Sequence, residues 1–209
     1  MRPRIIPIAF LAAASIYLGA CGHIAPAPAD PLQPDEHLSL AHIYETKGET
    51  DLALSEYLKA LQSEKGASDA HTHFAIANIY LNKKMYLKAE ERYKKAIELR
   101  PSEGPYYNNL AWAYMEDGKM DKAESAAYDA LSKDPDRGYI YLDTLGVIKM
   151  RMRRYTEAES DLKKAASLAE RRDQKGLWHI YNHLLELYEL EGDTEAATAI
   201  EEDIRRFDR

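Results

Sequence analysis

An internal repeat constrains the fold of this chain more than any other feature of its sequence. The segments 37–44, 73–80 and 107–114 share one order of aromatic, apolar and small residues. An alanine follows each of them, at Ala53, Ala89 and Ala123, and Ala158 continues the series, with intervals of 36, 34 and 35 residues. A period of this length is typical of stacked helix pairs. Because each pair leaves an apolar face that only the next pair covers, we expect one elongated all-α domain.

Small residues occupy the places where the two helices of each pair should meet. On the first helices these residues are Ala41, Ala77 and Ala111. Facing the alanines of the second helices, they would let antiparallel helices approach to about 8–10 Å. Gly48, Gly118 and Gly192 fall where first helices should end in a left-handed residue. Pro101 and Pro135 should end second helices.

The pattern resembles the tetratricopeptide repeat, whose period is 34 residues. The resemblance covers residues 35 to about 205 and is most specific over 70–136. It implies a right-handed α-α superhelical solenoid of about five helix pairs, in which three units fit well, the fourth fits fairly and the fifth is degenerate. The predicted units are about 34–69, 70–103, 104–138, 139–172 and 178–209.

Three substitutions weaken the fit of the last two units. Lys149 stands where a tyrosine is expected, Leu185 stands at the small position, and Glu201 stands where an apolar residue is usual. The final segment, 193–209, is predicted to be an amphipathic helix that caps the solenoid. Its expected buried side is Ala196, Ala197, Ile200, Ile204 and Phe207.

The only cysteine, Cys21, follows a basic start and an apolar run. Arg2 and Arg4 precede an uncharged stretch that ends near Gly19, which is the layout of a secretory signal. The segment Leu18-Gly19-Ala20-Cys21 resembles the lipobox of bacterial lipoproteins. This resemblance implies a signal peptide over 1–20 and lipidation of Cys21, which becomes the first residue of the mature protein. The alternative is an uncleaved helix over 5–21, which is short for a bilayer core of about 30 Å.

Residues 21–34 are predicted to be the lipidated cysteine and a tether. Four prolines within 22–34 favour extended polyproline II over helix. We interpret this segment as a spacer that lifts the domain off the membrane. By resemblance to the enteric sorting rule, Gly22 in place of aspartate favours the outer membrane, with the domain facing the periplasm.

The charge balance excludes two kinds of partner. Removing Arg2 and Arg4 from the 28 basic residues leaves 26 against 35 acidic residues, a net charge of −9. This charge argues against nucleic-acid binding, which requires a basic face, and against a polybasic membrane patch. One cysteine permits no intramolecular disulfide, so the core alone must stabilise the domain.

Catalytic patterns are not evident in the sequence. It contains no arrangement typical of a nucleophilic triad, a phosphate loop or a catalytic carboxylate pair, so we expect neither an enzyme nor a cofactor. His179 and His183, followed by Glu186, would share one face of a helix. They leave a metal-dependent or catalytic protein as an alternative of another class. Tetrahedral zinc needs further ligands, so we expect no metal site.

The resemblance implies that the first helices line a concave surface that binds a peptide or a partner helix. Amide side chains there would suit a peptide bond because they donate and accept at once, and aromatic side chains would suit apolar anchors. In the alternative interpretation, the asparagines solvate the helix and Trp112 fills a gap between pairs. Phe74 and Asn109 stand where the family's carboxylate clamp has lysine or arginine, so we expect no such clamp. The predicted partner-binding residues are Phe74, Asn78, Asn82, Asn108, Asn109 and Trp112, with His42 and Met115 beside them.

Together these features predict a membrane-anchored scaffold or adaptor of the bacterial cell envelope that binds a protein partner. Two versions of this hypothesis are a pilotin-like assembly factor for type IV pili or secretins, and a regulator that docks cell-wall hydrolases. Nothing in the sequence fixes the oligomeric state.

Overall fold

The computed structural model describes residues 32–170 and 172–207, and every regular element in these two ranges is helical. The all-α class is therefore confirmed for this part of the chain. The predicted signal peptide, Cys21 and nearly all of the tether lie outside the described residues. The α-helices are α1 (Pro34–Thr46), α2 (Thr50–Ala60), α3 (Glu64–Ala67), α4 (Ala70–Asn82), α5 (Tyr86–Leu99), α6 (Gly104–Glu116), α7 (Met120–Lys133), α8 (Gly138–Arg151), α9 (Tyr155–Ala169), α10 (Gln174–Glu191) and α11 (Thr194–Ile204).

The long helices form five consecutive hairpins, as the repeat predicted. The pairs are α1/α2, α4/α5, α6/α7, α8/α9 and α10/α11, and each pair packs against the next. The turn within every pair contains one residue with positive φ. Three of these residues are the predicted glycines, with φ of 75–76°, and Lys84 and Arg153 adopt the same conformation at the other two turns, with φ of 58° and 60°. The turn geometry is thus common to all five units, although glycine is not.

The predicted seam of small residues is the centre of the core. Ala41, Ala77 and Ala111 on the first helices have no exposed surface, nor do their counterparts Ala53, Ala89, Ala123 and Ala158 on the second helices. In the fourth unit Gly146 takes the first-helix place. A Cβ atom at Gly146 would lie 2.5 Å from Cγ of Leu162 on α9, so even alanine would be overpacked there.

Helix α3 is an addition that the repeat did not predict. It lies between the first and second pairs, and Gly66 within it permits a close approach to α2. A Cβ atom at Gly66 would lie 2.0 Å from the carbonyl oxygen of Ala60. The short helix therefore accounts for the longer interval of 36 residues between the first two units.

Helix α10 begins at Gln174, four residues ahead of the expected unit start at 178. The cause is local, because the side chain of Asp173 accepts a hydrogen bond of 2.9 Å from the backbone amide of Gly176 and caps the helix. Helix α11 follows as the terminal helix, and its expected apolar side is only half-buried. No further helix pair within the described residues covers that side.

Lys149 stands at the position of a repeat tyrosine, and it is buried there through an ion pair. Its side chain is 4 % exposed, and its ammonium group forms an ion pair with Asp161 at 2.5 Å. The Nζ atom also lies 3.1 Å from the hydroxyl of Tyr128. A buried ion pair therefore replaces aromatic packing in the fourth unit.

Within the residues that the structure describes, none of the helices combines the length and the apolar composition needed to cross a bilayer.

Candidate functional site

A cavity of about 280 Å³ opens between α6, α8 and α10, the first helices of the third, fourth and fifth units. Because first helices line the inner surface of such a stack, the cavity belongs to the face on which we expected a partner. Of the six predicted partner-binding residues, it contains Asn108 and Trp112. The lining residues are Asn108, Trp112, Tyr139, Ile140, Asp143, Thr144, Asp173, Gly176, His179, Ile180 and His183.

An ion pair joins two walls of the cavity. Nδ1 of His183 on α10 lies 2.7 Å from Oδ1 of Asp143 on α8. Burial opposes the charged form of His183, but the hydrogen bond and the charge of Asp143 outweigh it and raise the pKa of the imidazole. The pair therefore favours the imidazolium form of His183 and connects the fourth unit to the fifth.

A second carboxylate lies at the start of α10. Asp173 accepts from the amide of Gly176, which lowers its pKa, and the hydroxyl of Tyr139 donates to its Oδ2 at 3.1 Å. Asp173 is thus held as an anion by the helix N-terminus and by a side chain from α8.

Asn108 supplies an acceptor that the protein leaves unused. The residue is 7 % exposed, and its buried Oδ1 has no hydrogen-bond partner among the described residues. A buried carbonyl oxygen without a donor costs about 1–3 kcal/mol. Asn108 lines the cavity as a residue, but this oxygen has almost no accessible surface and lies beneath the cavity wall.

Two other predicted residues form a link between units instead. Nδ2 of Asn109 donates to Oδ1 of Asn78 at 2.9 Å, and the hydroxyl of Tyr93 donates to the same oxygen at 2.7 Å. Both lone pairs of that oxygen are therefore used within the protein. Asn78 connects α4, α5 and α6, and only its amide nitrogen is left to contact a peptide.

The remaining predicted residues are spread along the inner face. Phe74 is half-buried between Tyr106 and Tyr93, with ring centroids 4.7 and 5.8 Å away, so it fills space between two units. Asn82 is exposed at the end of α4. Met115, which we expected beside the predicted set, is 1 % exposed and belongs to the core.

His42 on α1 and Trp112 on α6 are the last two residues that we expected on the inner face. Nδ1 of His42 lies 3.0 Å from the hydroxyl of Tyr57, so His42 contacts its own unit. Trp112 is half-buried and packs against the core while it lines the cavity. Both interpretations of Trp112, as an anchor and as a filler between pairs, therefore describe part of its surroundings.

The histidines of α10 have different surroundings. His183 pairs with Asp143, whereas the ring of His179 lies edge-on to Trp178 with centroids 4.9 Å apart. Over 32–170 and 172–207, no group of three or more histidine, cysteine, aspartate or glutamate side chains is arranged to hold a metal ion.

Sequence reasoning missed Asp143, although the repeat contains a signal for it. Asp143 lies 35 residues after Asn108, one period later, and so occupies the same place on the next first helix. Tyr139 and Asp173 carry no comparable signal, because their contact depends on how α8 meets the start of α10.

Two family models, both described as tetratricopeptide repeat, match the chain. One matches residues 74–137 and the other matches residues 37–65 and 139–172. No curated protein sequence matches the chain significantly.

Several solved structures share the fold of this chain. TTC0263, a thermophilic TPR protein in Thermus thermophilus, is 22 % identical, with a TM-score of 0.66 over 82 % of this chain and 90 % of that one. BtubC from P. vanneervenii is 20 % identical, with a TM-score of 0.69 over 82 % and 78 %. The MamA protein is 19 % identical, with a TM-score of 0.66 over 82 % and 89 %. At these identities the likeness concerns the fold alone.

Proposed function

Because this chain is a tetratricopeptide-repeat protein, built as a protein-interaction scaffold, we propose that it binds a segment of a partner polypeptide at the cavity between α6, α8 and α10. The observation that carries the proposal is this cavity on the inner face, which the first helices of three units line with polar side chains such as Asn108. The half-buried ring of Trp112 and the exposed side chain of Ile140 add apolar surface beside it. A few polar groups among apolar walls are what a binding pocket usually provides.

The place of action belongs to the proposal as well. The lipobox-like segment that ends at Cys21 supports a lipid anchor, and two or three acyl chains would hold the protein on a membrane because each buried methylene contributes about 0.8 kcal/mol. We place the domain in the cell envelope, at the periplasmic face of the outer membrane. Its role there is that of an adaptor between the membrane and its partner.

Affinity capture with a matched pair of variants tests the proposal. Ile140 and Leu87 are both exposed apolar residues on helices, with 37 % and 71 % of their surface accessible, but only Ile140 lines the cavity. The tagged full-length chain, Ile140→Lys and Leu87→Lys are each captured from detergent-solubilised envelopes of the source cells, and the bound proteins are quantified by mass spectrometry.

We expect at least one envelope protein to be retained by wild type and Leu87→Lys and depleted at least fivefold by Ile140→Lys. The same bound proteins in equal amounts from all three chains would contradict a partner site at the cavity. The identity of the depleted protein then separates the versions of the adaptor, because a pilotin-like factor retains a secretin subunit and a hydrolase regulator retains a cell-wall hydrolase.

A further inference from the structure

The first unit of the stack exposes a face of its first helix that every later unit buries. Ile43 lies five residues before the left-handed turn residue Gly48 and is 47 % exposed. The residues at this position in the other four units are at most 4 % exposed, and there the second helix of the preceding unit packs against the first helix. Leu40, on the same face, is half-buried, whereas its four counterparts are buried. The counterparts of Ile43 are Ile79, Ala113, Ile148 and Leu187, and those of Leu40 are Ile76, Leu110, Leu145 and Leu184.

This face of α1 has the composition of an internal junction. A terminal unit of a solenoid needs a polar outer face to stay soluble, but α1 presents leucine, isoleucine and tyrosine. The complement of such a face is the outer side of a second helix that no later unit covers, and α11 is that helix in the described part of the chain. We define the head face of α1 as Leu40, Ile43, Tyr44 and Lys47. We define the tail face of α11 as Glu195, Thr198 and Glu202.

An ion pair at an internal junction shows how the two faces match in charge. Nζ of Lys83, directly after α4, lies 2.5 Å from Oδ1 of Asp51, the second residue of α2. Lys47 stands directly after α1, as Lys83 does after α4. Glu195 is the second residue of α11, as Asp51 is of α2. Lys47 and Glu195 are both exposed, and neither forms an ion pair with another described residue. Packing the tail face on the head face would therefore recreate this ion pair between two copies.

A tyrosine of the first helix gives a second match. The hydroxyl of Tyr114 donates a hydrogen bond of 3.0 Å to Glu90, the fifth residue of the preceding second helix, and the fourth and fifth units are joined in the same way. Tyr44 has this position in the first unit, and Thr198 is the fifth residue of α11. The hydroxyl of Thr198 donates within α11 and has lone pairs left to accept. The same packing of two copies would therefore give Tyr44 an acceptor.

We propose that the tail face of one copy of this chain packs against the head face of a second copy, so that the copies stack end to end. The contact continues the unit-to-unit packing of the solenoid and buries Ile43 as its counterparts are buried. No residue of the two faces lines the cavity between α6, α8 and α10, so this inference goes beyond the proposed function. Because the two faces differ, the contact is heterologous and does not close on two copies.

Charge reversal tests the match between the two faces. The full-length chain, Lys47→Glu and Glu195→Lys are studied by analytical ultracentrifugation in a nonionic detergent whose micelles are density-matched and in excess over protein. The ionic strength is about 0.15 M, at which a Debye length of about 8 Å screens the net charge of −7. We expect wild type to form species larger than dimers as its concentration rises. Each single variant should associate at least tenfold more weakly, because like charges then meet at the junction.

Mixing the two variants separates loss of the contact from loss of the fold. An equimolar mixture of Lys47→Glu and Glu195→Lys should recover association to within threefold of wild type, because every junction between the two variants joins opposite charges. The double variant that carries both changes should recover it as well. A chain that had lost its fold would not be rescued in this way.

The apolar part of the contact is tested by Ile43→Lys, with Leu87→Lys as its matched control. Both side chains are exposed, at 47 % and 71 %, but Leu87 belongs to neither face. We expect Ile43→Lys to weaken association at least tenfold and Leu87→Lys to leave it unchanged. Thermal unfolding of both monomers should match that of wild type, because substitutions at exposed positions change stability little.

Four results would each overturn the inference. They are a chain that stays monomeric at every concentration, an assembly that stops at a dimer, association that neither charge reversal weakens, and a mixture of the two variants that associates no better than either one alone.

Discussion

The side-chain amide of Asn109 donates a 2.9 Å hydrogen bond to the side-chain oxygen of Asn78, and so joins the second helix pair to the third. The same oxygen accepts from Tyr93, whose ring is fully buried and whose pKa is raised by that burial. One amide oxygen therefore couples three helices. The second and third units are therefore joined by a polar link as well as by apolar packing.

The two ends of this link should differ in their effect on stability. Asn78→Ala leaves the buried hydroxyl of Tyr93 without its partner, and we expect a loss of about 1–3 kcal/mol in the free energy of unfolding. Asn109→Ala removes one of two donors and should cost about 0.5–1.5 kcal/mol. Urea unfolding of both variants measures the difference. Asn82→Ala, at an exposed position of α4, is the control and should stay within about 0.5 kcal/mol of wild type. Equal losses in Asn78→Ala and Asn109→Ala would contradict the shared-oxygen account.

The stability of the fourth unit should be sensitive to a single substitution in its buried ion pair and should tolerate replacement of both partners. Lys149→Met leaves the carboxylate of Asp161 buried without this cation, and we expect a loss of about 3 kcal/mol. Nζ of the exposed Lys164 lies 3.9 Å from Oδ1 of Asp161, so Lys164 should reduce this loss of stability. The double variant Lys149→Met/Asp161→Leu should recover to within about 1 kcal/mol of wild type or exceed it. Thermal and urea unfolding check both values, and a double variant less stable than the single one would rule the account out.

The pair of His183 and Asp143 should make the contact between the fourth and fifth units depend on pH. Burial opposes the charge of His183, but Asp143, with a further contribution from Glu186, raises its pKa. Because the folded pKa lies above the unfolded value of about 6.5, the stabilisation is complete below about pH 6.5 and is lost as pH rises through the folded pKa.

We therefore expect the difference in unfolding free energy between wild type and Asp143→Asn to be larger at about pH 6 than at about pH 8.5, by about 0.5–1 kcal/mol. Burial lowers the pKa of His73, which acts in the opposite sense. Its effect cancels in the difference because both proteins carry it. A difference that grows as pH rises would show that the pair does not act as described.

The proposed anchor gives a prediction for Cys21. Cys21→Ser should prevent lipidation, so the protein should lose its label from radioactive palmitate and should leave the outer-membrane fraction. Ser39→Ala, a change at an exposed position of α1, serves as the control and should fractionate as wild type does. Full retention of Cys21→Ser in the membrane, without label, would instead favour an uncleaved helix over residues 5–21.

Much of the fold was predictable because it depends on local spacing. The seam alanines and the three glycines with positive φ appear in the sequence at a nearly constant period. Lys84 and Arg153 were not predictable as left-handed residues, since the stack imposes a conformation that their own preference opposes. Helix α3 depends on the close approach of Gly66 to Ala60, which no periodic pattern encodes.

The candidate site was predictable only in part, for a related reason. Asn108 and Trp112 were found because they lie on the inner face of a well-fitting unit. Asn78 and Asn109 have the composition of a peptide-binding pair, but their contact with each other depends on the distance between α4 and α6. The pairing of Asp143 with His183 spans 40 residues and two units, so it follows from the packing of α8 against α10.

Site-specific photo-crosslinking in living cells tests the central claim most directly, which is that a partner polypeptide binds at the cavity between α6, α8 and α10. p-Benzoylphenylalanine is placed at Ile140 in one chain and at Leu87 in another, since both side chains are exposed and only Ile140 lines the cavity. We predict a discrete crosslinked product with an envelope protein from position 140 that is absent from position 87. The same product from both positions, or a product from position 87 alone, would contradict a partner site at this cavity.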